Sequence, residues 1–125
     1  AFVSIRKKNI GDGKSAIIAA LGSNKDLKQI VVVDDDVDIY NLKDIEWAIT
    51  TRAQASEDFV LIKGALGSSL EPSHDLKNVT DKVGIDATKP LGEMGIRFER
   101  ARIPDYEVID IAKYFPKSVQ EGDRL

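Results

Sequence analysis

The chain has 125 residues, the size of one ordinary domain with a single core. Its 18 basic and 21 acidic residues are interspersed and give a net charge of −3, so the sequence lacks the basic field that attracts nucleic acid or an anionic membrane. It contains no cysteine, which excludes disulfides and thiolate metal sites and favours a reducing, cytoplasmic location. Its apolar runs are far shorter than the roughly 20 residues of a membrane-spanning helix. We therefore expect a soluble protein without a membrane span.

The first half of the chain alternates predicted strands and helices. A short β-branched run at 2–5 predicts a strand, and apolar residues at three-four spacing predict a helix over 14–21. The run QIVVV at 29–33 is apolar on both faces, which is typical of a central parallel strand covered by helices. A second helix is predicted over 42–52, with Asn41 as its N-cap and one apolar stripe.

The second half continues the alternation around one long loop. DFVLIK at 58–63 predicts a strand that is apolar on both faces, and VGIDA at 83–87 predicts another. The intervening stretch 64–81 is rich in Gly, Ser, Pro and Asn and predicts a loop, which at that length is usually functional or mobile. A C-terminal helix is predicted over 106–115, after Pro104. The order indicates an α/β fold, a three-layer α/β/α sandwich with a mostly parallel sheet, plus a C-terminal helix.

An acidic cluster follows the valine run, at the sheet edge where open α/β sheets bind ligands. It consists of Asp34, Asp35, Asp36 and Asp38. An EF-hand starting at Asp34 fails, because Ile39 and Ile45 stand where glycine and glutamate are required. Two hypotheses remain open: a receiver-like phospho-acceptor domain, or a structural cluster offset by the second helix's N-terminus and by arginines such as Arg52.

Two other features suggest chemistry without completing a known motif. IGDGK at 10–14 places glycines and a lysine before a helix, where backbone N–H groups can hold a phosphate. The segment lacks the spacing of a phosphate-binding loop, so a plain turn is the preferred interpretation. His74 is the only histidine, and neither a cysteine nor a serine in a nucleophile elbow accompanies it, which argues against a hydrolase triad.

The sequence resembles the C-terminal domain of the UbiD family of decarboxylases, which depend on prenylated FMN. The segments that carry this resemblance are FVSIRKK at 2–8, GDGK at 11–14, KQIVVVDDDVDIYNLKDIEWAITTR at 28–52, GSSLEPS at 67–73 and KVGIDAT at 82–88. The resemblance implies a larger enzyme whose preceding domain binds prenylated FMN, a divalent metal (Mn or Mg) and potassium. It implies no cofactor, no metal and no catalytic residue in this chain, so the isolated chain should be inactive.

The same resemblance implies a role in dimerisation and in closure over the active site. Leu70 corresponds to a leucine that the family presents to the substrate on a loop, and Ser69 and Pro72 would shape that loop. Lys14 is a candidate for the cofactor phosphate, with Lys25 as the other possibility. The implied substrate is an aromatic or α,β-unsaturated carboxylic acid. RFERARIPDYEVIDIAKYF at 97–115 resembles compact archaeal and microbial members, some of which act on a phosphorylated enoic acid.

The predicted boundaries and partners follow from this resemblance. Residues 1–104 form the UbiD-like α/β domain, and 105–125 form the C-terminal helix and tail. The implied partners are the cofactor-binding domain of the same protein, further copies of it in a dimer or higher oligomer, and a flavin prenyltransferase that supplies the cofactor. The alternative functions are the receiver-like domain and a free-standing interaction subunit.

Overall fold

The structure is a computed structural model, and it describes residues 1–74, 78–101, 104–105, 108–110 and 113–114. The helix expected over 106–115 therefore lies mostly outside the described residues. The boundary expected at 104 stays a prediction.

Four strands and two α-helices form the described fold. The elements are β1 (Phe2–Ile5), α1 (Asp12–Ser23), β2 (Gln29–Asp34), α2 (Leu42–Arg52), β3 (Phe59–Leu66), β4 (Val79–Ala87) and a 3-10 helix (Gly92–Phe98). The sheet order is β1-β2-β4-β3. Strand β2 pairs in parallel with β1 and β4, whereas β3 pairs antiparallel with β4. The predicted α/β fold with a mostly parallel sheet is confirmed.

Strand β2 divides the core into two layers because its alternate residues face opposite sides of the sheet. Ile30 and Val32 pack with Ile17 and Leu21 of α1. Val31 and Val33 belong to the second core cluster, which includes residues of α2. The side chains at 30–33 are fully buried, so the central, doubly covered strand predicted from QIVVV is confirmed.

Helix α1 lies close to the sheet at Gly84 of β4. A Cβ added at Gly84 would overlap the side chain of Ile17, so only glycine allows this approach. The helix is longer than the predicted 14–21 and begins at Asp12, whose carboxylate accepts hydrogen bonds from the N–H groups of Lys8 (2.7 Å) and Asn9 (2.8 Å). These bonds close the turn before the helix.

Helix α2 has the predicted bounds and the predicted cap. The Asn41 side chain accepts a hydrogen bond from the N–H of Lys43 at 3.1 Å, which satisfies one of the free donors at the helix start. The carboxylate of Asp44, in the first turn, pairs with Arg100 at 2.9 Å.

Strand β3 differs from its prediction. It is an antiparallel strand at the end of the sheet order, with Val60 and Ile62 packed on the α1 side while Leu61 is 69% exposed. The apolar run in DFVLIK therefore does not mark a strand covered on both faces, because an apolar run does not distinguish a central from an edge strand. Strands β3 and β4 also extend into the expected loop, which shrinks from 64–81 to 67–78.

Candidate functional site

The acidic cluster lies at the carboxyl edge of the sheet, which we define as the edge where β1, β2 and β4 end. Arg52, the last residue of α2, reaches back to this edge. Its Nη1 donates to Asp34 Oδ2 at 2.8 Å and to Asp36 Oδ1 at 3.0 Å, and its Nη2 donates to Asp36 Oδ2 at 2.8 Å. The backbone N–H of Lys89 donates to Asp34 Oδ2 at 2.7 Å, and the Lys89 ammonium lies 3.3 Å from Asp36 Oδ2. Two cations thus offset two carboxylates.

Burial separates the two carboxylates in their acidity. Burial raises the pKa of Asp34, and this effect exceeds the opposing effects of the Lys89 N–H and the Arg52 charge. The hydrogen bond from Arg52 lowers the pKa of Asp36, which is more exposed. Arg52 and the Lys89 N–H favour the charged form of Asp34 and oppose the effect of burial.

Arg52 is itself buried and is held by an aromatic ring. Its guanidinium carbon lies 4.8 Å from the centre of the Trp47 ring, and that of Arg100 lies 4.5 Å from the same ring, both within cation–π range. Arg52 Nη2 also donates to the Phe98 carbonyl at 3.2 Å, while Arg52 Nε has no hydrogen-bond partner among the residues that the structure describes. Trp47 thus links α2 to the segment after the 3-10 helix.

The remaining two aspartates bond groups other than Arg52. Asp35 pairs with the exposed Arg6 at 2.7 Å, and Asp38 accepts the N–H of Tyr40 at 2.9 Å. The predicted pairing with Arg52 is confirmed, and Asn41 rather than an aspartate caps α2. Among the described residues, no group of three or more acidic or histidine side chains is arranged to hold a metal ion.

A cleft of about 510 Å³ opens at the same edge, beside the start of α1. Lys7 and Lys14 line it together with Asp86. Lys7 already donates to Thr88 Oγ1 at 3.0 Å, and the Asp86 carboxylate packs so closely on Gly13 that a Cβ there would overlap it. The start of α1 thus has a negative charge beside it, as helix N-termini favour. In the structure only Ile10 and Gly11 of IGDGK form a turn, whereas Asp12, Gly13 and Lys14 belong to the first turn of α1. The interpretation of the whole segment as a turn is therefore corrected.

The predicted substrate loop lies at the amino edge of the sheet, which we define as the edge where β2 and β4 begin. Glu71 joins the loop to β4 and to Lys28, the residue that precedes β2. Its Oε1 accepts from Lys28 Nζ at 2.5 Å and its Oε2 accepts from Thr80 Oγ1 at 2.6 Å. Its carboxylate also accepts from the N–H and hydroxyl of Ser73. The hydrogen bonds from Lys28, Ser73 and Thr80 lower the pKa of Glu71 to about 2.

The bonds of Glu71 anchor the loop to the sheet. Leu70, the residue before Glu71, is 90% exposed. Ser69 and Pro72 are exposed as well. The N–H of Leu70 donates to Ser68 Oγ at 3.3 Å, so the backbone is held locally while the apolar side chain lies in solvent. Sequence reasoning selected Leu70 but missed Glu71 and Lys28. They are 43 residues apart, and no local pattern pairs them.

Leu70 and Lys14 lie at opposite edges of the sheet. The loop is attached to Thr80 and the start of α1 packs on Asp86, and six residues of extended strand span about 20 Å. The described chain therefore does not bring the predicted substrate residues and the predicted cofactor lysine together. Lys25 lies on the side of the loop, since its carbonyl accepts from Lys82 at 2.7 Å.

These features define a three-layer α/β domain with a charged network at one sheet edge and an anchored loop at the other. The chain belongs to the family described as the 3-octaprenyl-4-hydroxybenzoate carboxy-lyase C-terminal domain, the C-terminal domain of UbiD-type decarboxylases, which matches residues 1–87. The anhydromevalonate phosphate decarboxylase of Methanocaldococcus jannaschii is 55% identical over 106 residues, covering 84% of this chain and 25% of that protein. The chain thus spans about a quarter of the length of this relative.

Solved structures show the same relationship. HmfF, a UbiD-class enzyme from Pelotomaculum thermopropionicum in complex with FMN, has a TM-score of 0.81 and 45% identity, covering 91% of this chain and 25% of that one. An evolved dimeric form of HmfF with prenylated FMN has a TM-score of 0.67 and 37% identity, covering 91% and 22%. Vanillic acid decarboxylase of Sedimentibacter hydroxybenzoicus in closed form has a TM-score of 0.73 and 28% identity, covering 97% and 26%. Its open form has a TM-score of 0.67 and 26% identity, covering 96% and 26%.

Family membership corrects one alternative. A receiver-like domain is excluded, and the two carboxylates that suggested it are bonded to Arg52. The alternative of a free-standing interaction subunit stays a prediction. None of the helices in the described part of the chain is long and apolar enough to cross a membrane.

Proposed function

We propose that this chain closes over the active site of a UbiD-type decarboxylase and joins its subunits, while the preceding part of the protein binds the cofactor. The relatives are decarboxylases, or UbiD-class enzymes with FMN or prenylated FMN, of which this domain is about a quarter. Open and closed forms of vanillic acid decarboxylase support a domain that moves. The dimeric form of HmfF supports an assembly role.

We propose that the divalent ion and K⁺ bind in the preceding part of the protein, as the family resemblance implies. Asp34 Oδ2 accepts from Arg52 and from the Lys89 N–H, and both carboxylate oxygens of Asp36 accept from Arg52. Prenylated FMN supplies the chemistry of decarboxylation when it is bound, and no residue here is assigned a catalytic role. A flavin prenyltransferase in the same cytoplasmic compartment would provide the cofactor.

The observation that carries this proposal is the exposure of Leu70 on an anchored loop. An apolar side chain of which 90% is in solvent gains nothing for the stability of this domain alone, because it buries little area. Packed over a bound substrate, it would exclude water around the departing carboxylate, and opening would release CO₂. Ser69 and Pro72 would shape the loop around it. Lys14 lies at the opposite edge of the sheet from Leu70. It would contact the cofactor phosphate only if that edge also faced the cofactor-binding part of the protein.

The substrate we propose is an α,β-unsaturated acid that carries a phosphate. The support is the 55% identity to anhydromevalonate phosphate decarboxylase, which exceeds the identity to gallate decarboxylase of Lactiplantibacillus plantarum, 34% over 125 residues, covering 90% of this chain and 25% of that protein. The two classes are separated by measuring CO₂ release from anhydromevalonate phosphate and from gallate.

The test of closure is Leu70→Ala in the complete decarboxylase. We expect kcat to fall by about tenfold or more, because a loosened substrate and admitted water both raise the barrier. Leu42→Ala is the matched control, since Leu42 is 67% exposed at the start of α2 and should leave kcat unchanged. Equal turnover of wild type and Leu70→Ala across substrates of different size would remove Leu70 from the pocket.

A further inference from the structure

We infer that Glu71 is a positioning residue that fixes the loop so that Leu70 covers the substrate, an inference that rests on the proposed function. Glu71 follows Leu70 directly and joins the loop to β4 and to the residue that precedes β2. Lys28 immediately precedes β2, and Thr80 is the second residue of β4. One carboxylate thus connects the loop tip to neighbouring strands of the sheet.

The surroundings make Glu71 the centre of this anchor. The Thr80 hydroxyl donates to Glu71, and Thr80 is only 7% exposed. The side chain of Thr80 also fills the space in which Gly67 would carry a Cβ, and the N–H of Gly67 donates to the Asn78 carbonyl at 2.8 Å. The beginning of the loop and its anchor therefore meet at one buried threonine.

The charge of Glu71 matters as much as its position. Lys28 is 45% exposed and Glu71 only 16% exposed, so the ion pair is partly withdrawn from water. The lowered pKa of Glu71 shows that its donors favour the ionised carboxylate. A neutral amide keeps one acceptor for Thr80 but loses the attraction to Lys28, and the loop then samples more conformations.

Such an anchor acts on turnover by limiting the freedom of the neighbouring residue. A side chain that must cover a reacting group loses less conformational entropy on closure when its backbone is already held. Glu71 itself needs no contact with substrate or cofactor. Its effect on the reaction should pass entirely through Leu70, and that dependence can be measured.

The experiment is a double-mutant cycle in the complete decarboxylase: Leu70→Ala, Glu71→Gln and the combination. We expect Glu71→Gln to lower kcat by about tenfold or more, and we expect the double variant to be no slower than Leu70→Ala alone, because the two residues act as a unit. Lys28→Met removes the same ion pair at a more exposed position, so it provides the test should Glu71→Gln fail to fold. Glu46→Gln, on the exposed side of α2, is the matched control and should change nothing.

Each outcome decides the inference. Multiplicative effects, in which the double variant loses the product of the two single losses, would show that Glu71 acts independently of Leu70 and would overturn it. An unchanged kcat for Glu71→Gln, with Leu70→Ala impaired, would overturn it while leaving the proposed function intact. An unchanged kcat for Leu70→Ala would overturn both this inference and the proposed closure over the active site.

Discussion

Arg52 and Asp36 form a two-bond ion pair, with Nη1–Oδ1 at 3.0 Å and Nη2–Oδ2 at 2.8 Å. The same guanidinium bonds the buried Asp34 at 2.8 Å. This arrangement explains how four aspartates in five positions are tolerated after a buried strand. Their charge is offset by the end of one helix and by the backbone beyond β4, and Asp35 and Asp38 are exposed to solvent.

Replacing Arg52 should therefore strongly destabilise the folded chain. Arg52→Met leaves Asp34 buried without its cation, which costs about 3–5 kcal/mol of the free energy of unfolding. Urea denaturation of the purified chain measures this loss. The exposed pair Arg6–Asp35 is the matched control, and Arg6→Met should cost less than about 1 kcal/mol. Equal losses for the two variants would contradict the assignment of Arg52 as the main counter-charge.

Divalent metal should not stabilise the acidic cluster. Asp34 Oδ2 and both oxygens of Asp36 already accept hydrogen bonds from Arg52 or Lys89, and a metal would have to displace these partners. We expect titration with Mg²⁺ or Ca²⁺ to leave the melting temperature nearly unchanged. A rise of several degrees at sub-millimolar metal would show preferential binding to the folded state and would refute the structural role of the cluster.

Alanine substitutions at two glycines should change the stability of the chain in opposite directions, because α1 approaches the sheet closely at only one of them. Gly84→Ala would force the added methyl into Ile17 and should destabilise the chain by about 1–3 kcal/mol. Gly22→Ala, within α1 and with no atom near the added Cβ, should stabilise it by about 0.5–1 kcal/mol. Thermal unfolding monitored by circular dichroism measures both. A neutral Gly84→Ala would mean that the helix can move away at no cost.

The pKa of Glu71 predicts the pH range over which the loop is anchored. The folded pKa is about 2 and the ordinary value is 4.5, so the stabilisation is fully present above about pH 4.5 and is lost as pH falls toward 2. A carbon-13 NMR titration of the Glu71 carboxyl group should give a midpoint far below 4.5, and Lys28→Met should raise it. A midpoint near 4.5 in the unaltered chain would mean that the anchor does not form in solution.

Much of this fold could be predicted from sequence because its strongest signals are local. The QIVVV run, the Asn41 cap and the period of α2 each identify their element without reference to the rest of the chain. The position of β3 could not be predicted in this way. Its apolar residues resemble those of a buried strand, and only the pairing with β4 places it at an edge.

The pairing of the acidic cluster with Arg52 was correctly predicted from the sequence. Leu70 was selected by the family resemblance, and its contact with substrate stays a prediction. The separation of Leu70 from Lys14 depends on which strand ends meet at which edge. The anchor at Glu71 depends on a lysine far away in sequence. Both are properties of the folded chain, which local patterns do not encode.

The central claim is that this chain covers an active site that other residues build. The most direct test is to assay the purified chain 1–125 and the complete decarboxylase side by side for binding of prenylated FMN and for CO₂ release. We expect the complete protein to do both and the chain 1–125 to do neither. Tight binding of prenylated FMN together with CO₂ release by the chain alone would contradict this account.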